Sequence, residues 1–203
     1  VLKDSDCRIP RSSGIFNSKI SSVNKHLSKL FMMLFLLACL ILQARQHPSL
    51  IPLPQSVSWT TAQFPLAKCR EIVASGDSLT KEASILAQAL ATHGAHASVK
   101  QAGTGDYSIQ LKLGHVPAAY LPEEAYHLAV TGKRVVVTAS TPHGIFNGLQ
   151  TLYQLITASH TLPGCDITDY PAYRWRGYMV DVGRNFQSIP QLKQQIDVMA
   201  AIK

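Results

Sequence analysis

Between Arg174 and Phe186 the chain reads RWRGYMVDVGRNF, an apolar run that delivers an acid, Asp181, and a base, Arg184, three positions apart. A guanidinium is a planar fork of donors that suits two neighbouring oxygen acceptors, a task lysine does less selectively. The alternative is an Arg184 that pairs with Asp181 and touches no ligand, because arginine–carboxylate pairs are also common structural devices. The residues alone leave both readings open. Elsewhere the chemistry is sparse. Glu123 and Glu124 are the only adjacent acids in the body of the chain, and their proline-led loop reads as a solvated turn. There is no phosphate loop, no paired-cysteine metal motif and no His-Glu-x-x-His. The eight histidines are scattered, and His115 and His127 read as surface or strand residues rather than ligands.

The elements that must position Asp181 and Arg184 follow from periodicity. Tyr178, Met179, Val180 and Val182 form a short apolar run, as expected of a strand buried on both faces of a parallel sheet. Ser188 with Gln191 predicts a capping box, and Leu192, Ile196 and Met199 follow at helical spacing. The unit is strand, turn, helix, and ligands of parallel α/β architectures gather where such strands end. Upstream, His47 to Ser58 is rich in proline and polar residues and reads as an extended entry, with Trp59 just beyond. Asp77 or Ser78 starts a helix whose face is Ala83, Leu86, Ala89 and Leu90, and Gly94 ends it. Alternation over Tyr107–Leu113 predicts a strand with one wet face. Tyr126–Val130 and Arg134–Thr138 flank Thr131-Gly132-Lys133 as a hairpin. Thr141 caps a helix with Pro142 in its first turn and Ile145, Leu149, Leu152 and Ile156 along one side. Ala158 to Tyr173 reads as a linker, broken by Leu162-Pro163-Gly164 and Asp169-Tyr170-Pro171.

The 203 residues carry a net charge of +7, but the charge is uneven. Residues 1–45 hold seven basic and two acidic side chains, whereas 46–203 hold 12 basic and 10 acidic. The body therefore lacks the clustered basic patch that nucleic-acid binding would need. Leu30–Leu42 is an apolar run of signal-peptide length, preceded by Lys25 and Lys29, and is expected to be cleaved near Ala44. Residues 1–22 read as upstream translation, with Val23 a candidate start. Leu36-Leu37-Ala38-Cys39 offers a second reading, a lipoprotein processing site with Cys39 lipidated, although Leu40–Leu42 continue the apolar run where a polar tether belongs. The expected location is exported: periplasmic, cell-surface or secreted, touching membrane only through the signal or that lipid. Cys69 and Cys165 either pair or remain buried thiols.

The stretch Trp175-Arg176-Gly177 followed by Asp181-Val182-Gly183-Arg184-Asn185-Phe186 resembles the opening of the catalytic barrel in glycoside hydrolase family 20, the β-N-acetylhexosaminidases. That family more often has Ser and His at the positions of Gly183 and Asn185. Gly144 to Leu152 also resembles the last helix of the small α/β domain that precedes this barrel. The resemblance implies that Arg184 binds the 3- and 4-hydroxyls of a terminal N-acetylhexosamine. It implies a retaining mechanism in which the substrate's acetamido carbonyl attacks the anomeric carbon, served by an Asp-Glu pair on a later strand. No such pair is present. Asp181 is therefore read as orienting the loop or Arg184, since a glycosidase acid needs a raised pKa and a second group across the bond.

The expected fold is α+β: a leader over 1–45, a small sheet-and-helix domain over 46–158, a linker over 159–173, and from 174 the first βα unit of a truncated TIM (β/α)8 barrel. A whole barrel takes about 250 residues. The chain by itself is expected to lack glycosidase activity and to need no cofactor or metal. Its partner is a glycan ending in N-acetylhexosamine. Two competing readings are a stand-alone glycan-binding or interaction module, and the N-terminal domain of another glycosidase family. An unpaired first barrel strand would leave the chain frayed or aggregation-prone beyond about Tyr173.

Overall fold

The computed structural model describes Lys29 and residues 31–33, 47–103, 105–156 and 160–203. The chain divides into two units, Val1–Gln46 and His47–Lys203. In the first, Lys29 and residues 31–33 are helical. The expected start at Val23, cleavage near Ala44 and lipidation of Cys39 fall outside the described residues. No helix among the described residues is long and apolar enough to cross a membrane.

The second unit is built on a mixed sheet of strands β1 (Ser56–Pro65), β2 (Glu71–Ala74), β3 (Ser98–Lys100), β4 (Ser108–Leu113), β5 (Tyr126–Val130), β6 (Arg134–Ala139) and β7 (Thr161–Asp169). Their spatial order is β1-β7-β5-β6-β4-β2-β3. Strands β3, β2, β4 and β6 run parallel, and β6, β5, β7 and β1 pair antiparallel. Helix α1 (Thr80–Thr92) packs on β2 and β3, and helix α2 (Pro142–Gln154) on β4, β5 and β6. The third helix, α3 (Ile189–Ala201), follows the arginine-bearing turn.

Local chemistry explains most of these elements. Thr141 caps α2 by accepting from the Gly144 amide at 3.2 Å, and Pro142 occupies the first turn, where a missing N–H costs nothing. A 3-10 turn at Asp77–Leu79 leads into α1, and Gly94 ends it at φ +77°, a conformation that suits glycine. The hairpin joins β5 and β6 in the expected register, with Tyr126, Leu128 and Val130 turned to the core. Glycines let α2 approach: a Cβ on Gly144 would lie 2.7 Å from the Ala139 Cβ, and one on Gly148 would lie 2.6 Å from Val137 Cγ1. One continuous core joins Ile72, Leu86, Leu90, Ile109, Leu128, Leu149 and Ile167, all fully or almost fully buried.

Three expectations are corrected. The stretch read as a linker contains β7, which lies between β1 and β5. Pro163 misled the reading, yet it falls where β7 pairs with β1 alone, beside the irregular register between Trp59 and Gln63, so its missing donor breaks no second ladder. Gly164 sits where a Cβ would come within 2.7 Å of the Ala62 Cβ. The supposed wet face of Tyr107–Leu113 is covered at two of its three positions: Ser108 and Gln110 are buried, and only Lys112 is exposed. The following residues of the expected barrel strand, Tyr178–Val182, form no ladder, because no described strand lies beside them. Tyr178 and Met179 are exposed instead.

An acid on β2 anchors the loop between β3 and β4. Glu71 on β2 accepts from Lys100 Nζ at 3.0 Å and from the Gly105 amide at 3.2 Å. A Cβ on Gly103 or Gly105 would approach its Oε1 to 2.8 Å, so the small residues are what allow the loop to close. The Lys100 hydrogen bond is the main reason the Glu71 carboxyl is held below its ordinary range. Cys69 and Cys165 are both free and buried, not paired. Burial pushes the Cys69 thiol up to about 11 and the Cys165 thiol up to about 12.

Candidate functional site

Asp181 organises the turn that carries Arg184. Its Oδ1 accepts from the backbone amides of Gly183 and Arg184, both at 3.0 Å, so one carboxylate oxygen bends the chain back on itself. Its Oδ2 lies 3.2 Å from Arg184 Nε. The guanidinium is thus held from one side, and at 91% side-chain exposure its remaining donors face outward. The turn leads into α3, where Ser188 and Gln191 complete the expected capping box: the Ser188 amide donates to Gln191 Oε1 at 2.8 Å, and Ser188 Oγ accepts from the Gln191 amide. Chemically, the turn presents a fixed cation with in-plane donors on an open surface. Among the described residues no second acid stands across from Arg184 at this turn.

A second polar centre lies where this segment meets the sheet, and the residue types alone did not disclose it. Glu124, expected in a solvated turn, is buried and forms an ion pair with Arg176; His143 Nε2 stands 3.9 Å from the same carboxylate. Glu123 stays half exposed, 3.8 Å from Arg174. Below them Lys203 Nζ lies 2.8 Å from Asp169 Oδ2 and donates to the Tyr126 hydroxyl at 2.9 Å. Glu124, Arg176, Tyr126, Asp169 and Lys203 line a cavity of about 260 Å³, walled also by Leu53, Tyr170 and Tyr173. Burial and the neighbouring Asp169 push the Tyr126 hydroxyl far up, which keeps it a neutral donor. The sequence signal was weak but present: Asp169 ends the alternating run Cys165, Ile167, Asp169, at a position whose side chain turns inward.

His127 sits on β5, as expected of a strand residue, and its Nε2 lies 3.0 Å from Asp166 Oδ2 on β7. Among the described residues no group of three or more His, Cys, Asp or Glu side chains could hold a metal ion.

Comparison with known proteins places this geometry. Residues 47–170 match the family described as "Glycosyl hydrolase family 20, domain 2" and residues 173–203 match "Glycosyl hydrolase family 20, catalytic domain". The chain belongs to glycosyl hydrolase family 20. It is 31% identical over 176 residues to a β-hexosaminidase of Porphyromonas gingivalis, covering 76% of this chain and 21% of that protein. It is also 31% identical over 159 residues to the N,N'-diacetylchitobiase of Vibrio harveyi, covering 73% and 18%. Among solved structures, the β-N-acetylhexosaminidase of Streptomyces coelicolor aligns with a TM-score of 0.68 at 30% identity, over 78% of this chain and 34% of that one. A mutant Streptomyces plicatus β-hexosaminidase in complex with product GlcNAc aligns with a TM-score of 0.64 at 29% identity, over 79% and 34%. The chain thus spans about a fifth of the length of these two curated relatives.

Proposed function

We propose that this chain supplies the small α/β domain and the first βα unit of the TIM barrel to an exported β-N-acetylhexosaminidase. That enzyme removes terminal non-reducing N-acetylhexosamine from glycans by a retaining, substrate-assisted route. Arg184 grips the ring hydroxyls of the terminal sugar and Asp181 holds Arg184 in place. The observation that carries the reading is the exposed, one-sided Arg184 on a capped turn, inside the segment that matches the catalytic domain. The same match favours an enzyme over a stand-alone glycan-binding module.

The apolar surface of residues 174–203 supports the barrel part of this reading. Trp175, Met179 and Phe186 are each more than four-fifths exposed, far beyond what a solvated segment needs. Large apolar side chains exposed to this degree favour a segment that another element covers, and in a barrel the first strand is covered by its neighbours. The reacting groups belong to those neighbours, because the described residues offer no acid pair at the Arg184 turn.

Two assays test the proposal. The 203-residue chain alone is expected to release no nitrophenol from nitrophenyl N-acetyl-β-D-glucosaminide, and release would contradict the placement of the reacting groups elsewhere. A chimera in which residues 47–203 replace the matching part of the Streptomyces coelicolor enzyme is expected to hydrolyse that substrate. A folded but inactive chimera would overturn the functional reading.

A further inference from the structure

What holds residues 174–203 against the sheet is not apolar packing. Helix α3 has no buried residue at all, and Trp175 and Met179 are over nine-tenths exposed. The buried groups at this contact are ionic: the side chains of Lys203, Asp169 and Glu124 are only 8%, 10% and 11% exposed. Charges at that depth persist only when paired and hydrogen-bonded.

Lys203 donates to Asp169 Oδ2 at 2.8 Å and to Tyr126 Oη at 2.9 Å. The Tyr126 hydroxyl has one proton, which it gives to Asp169 Oδ2 at 3.0 Å, so Thr151 Oγ1 at 2.6 Å is the donor in their shared bond. Asp169 Oδ1 accepts from the Gln55 amide at 3.2 Å, which ties the acid to the entry segment as well. The end of α3 is held at two more points. Gln154 Nε2 donates to the Ala201 carbonyl, one of the helix-end carbonyls that lack a partner within the helix, and Arg176 Nε donates to the Lys203 carbonyl just beyond the helix, both at 3.1 Å.

We propose that Lys203, with Asp169 and Tyr126 beneath it, is a positioning centre: it clamps the C-terminal end of α3 to the sheet domain and so sets where the Arg184 turn stands. An apolar contact can slide by an ångström with little loss, whereas donors and acceptors at 2.8–3.2 Å admit one register. The small domain is then the jig against which the first barrel unit is registered. The consequence for Arg184 rests on the functional reading above; the clamp itself does not.

Hydrogen exchange on the 203-residue chain tests the clamp directly. Lys203→Met leaves Asp169 buried without its cation, and Asp169→Asn leaves Lys203 without its anion. Each is expected to speed exchange of the α3 amides by about tenfold or more, and by more than that of the amides of β4 to β7, and Lys203→Arg, which keeps the charge, to restore most of the protection. Unaltered protection of α3 in both variants, or loss spread evenly through the sheet, would overturn the clamp. In the chimera, Lys203→Met is expected to raise KM severalfold with kcat less affected; equal KM values would remove the link to Arg184. An inactive unaltered chimera would count against the functional reading alone, since the exchange result stands apart from it.

Discussion

Individual side chains carry the most specific consequences. Glu71 is held below its ordinary value of 4.5, chiefly by Lys100. A carboxyl depressed in the folded state adds stability that is present above the unfolded value and lost as pH falls through the folded one. Thermal unfolding of the sheet domain is therefore expected to move to lower temperature as pH drops below about 4.5, and Glu71→Gln to flatten that fall. An identical acid slope in the variant would remove Glu71 as the group that anchors the loop between β3 and β4. Gly148 makes a separate prediction. A methyl there meets Val137 Cγ1 at 2.6 Å and the Tyr126 ring at 3.2 Å, neither of which is a free side-chain end. Gly148→Ala is expected to destabilise the domain by about 1–3 kcal/mol through overpacking, outweighing the better helix propensity of alanine. A denaturation midpoint at or above that of the parent would contradict this.

At the scale of elements, capping and alternation were the readable signals. Thr141-Pro142 and Ser188 with Gln191 marked two helix starts to within a residue, because a cap is a local bargain between one side chain and the next turn's amides. The hairpin was equally legible from Tyr126 to Thr138. Strand β7 was not, since Pro163 and Gly164 are breakers by their own preference and are tolerated only through what β1 does beside them. The extended entry expected over His47–Ser58 reaches only the first three residues of β1, whose outer positions are polar, and only Val57, Trp59 and Phe64 reveal the inward face. Arg184 and Asp181 were visible as types and spacing. The Glu124–Arg176 and Lys203–Asp169 pairs were not, because 52 and 34 residues separate their members and only the fold closes those gaps. The barrel-strand expectation shows the converse: Tyr178–Val182 has a strand's pattern and no ladder. Its amides are expected to exchange nearly as fast as unstructured chain while those of β5 and β6 remain protected. Strong protection through Val180 would show a pairing that the structure lacks.

For the whole molecule, the division of labour is between a complete sheet domain and an arginine-bearing unit with an uncovered apolar face. Stability resides in the first, where a single core joins the sheet to α1 and α2. The proposed recognition resides in the second, whose contact with the sheet is made by buried ion pairs. The proposed role of Arg184 is to bind the hydroxyls of a terminal sugar with its planar fork. The most direct test is kcat/KM of the chimera on nitrophenyl N-acetyl-β-D-glucosaminide, with Arg184 intact, as Arg184→Lys and as Arg184→Ala. A bidentate contact predicts a fall of about tenfold or more for lysine and about 100-fold or more for alanine. Lysine and alanine variants as active as the parent would contradict it, and would leave Arg184 as no more than the partner of Asp181.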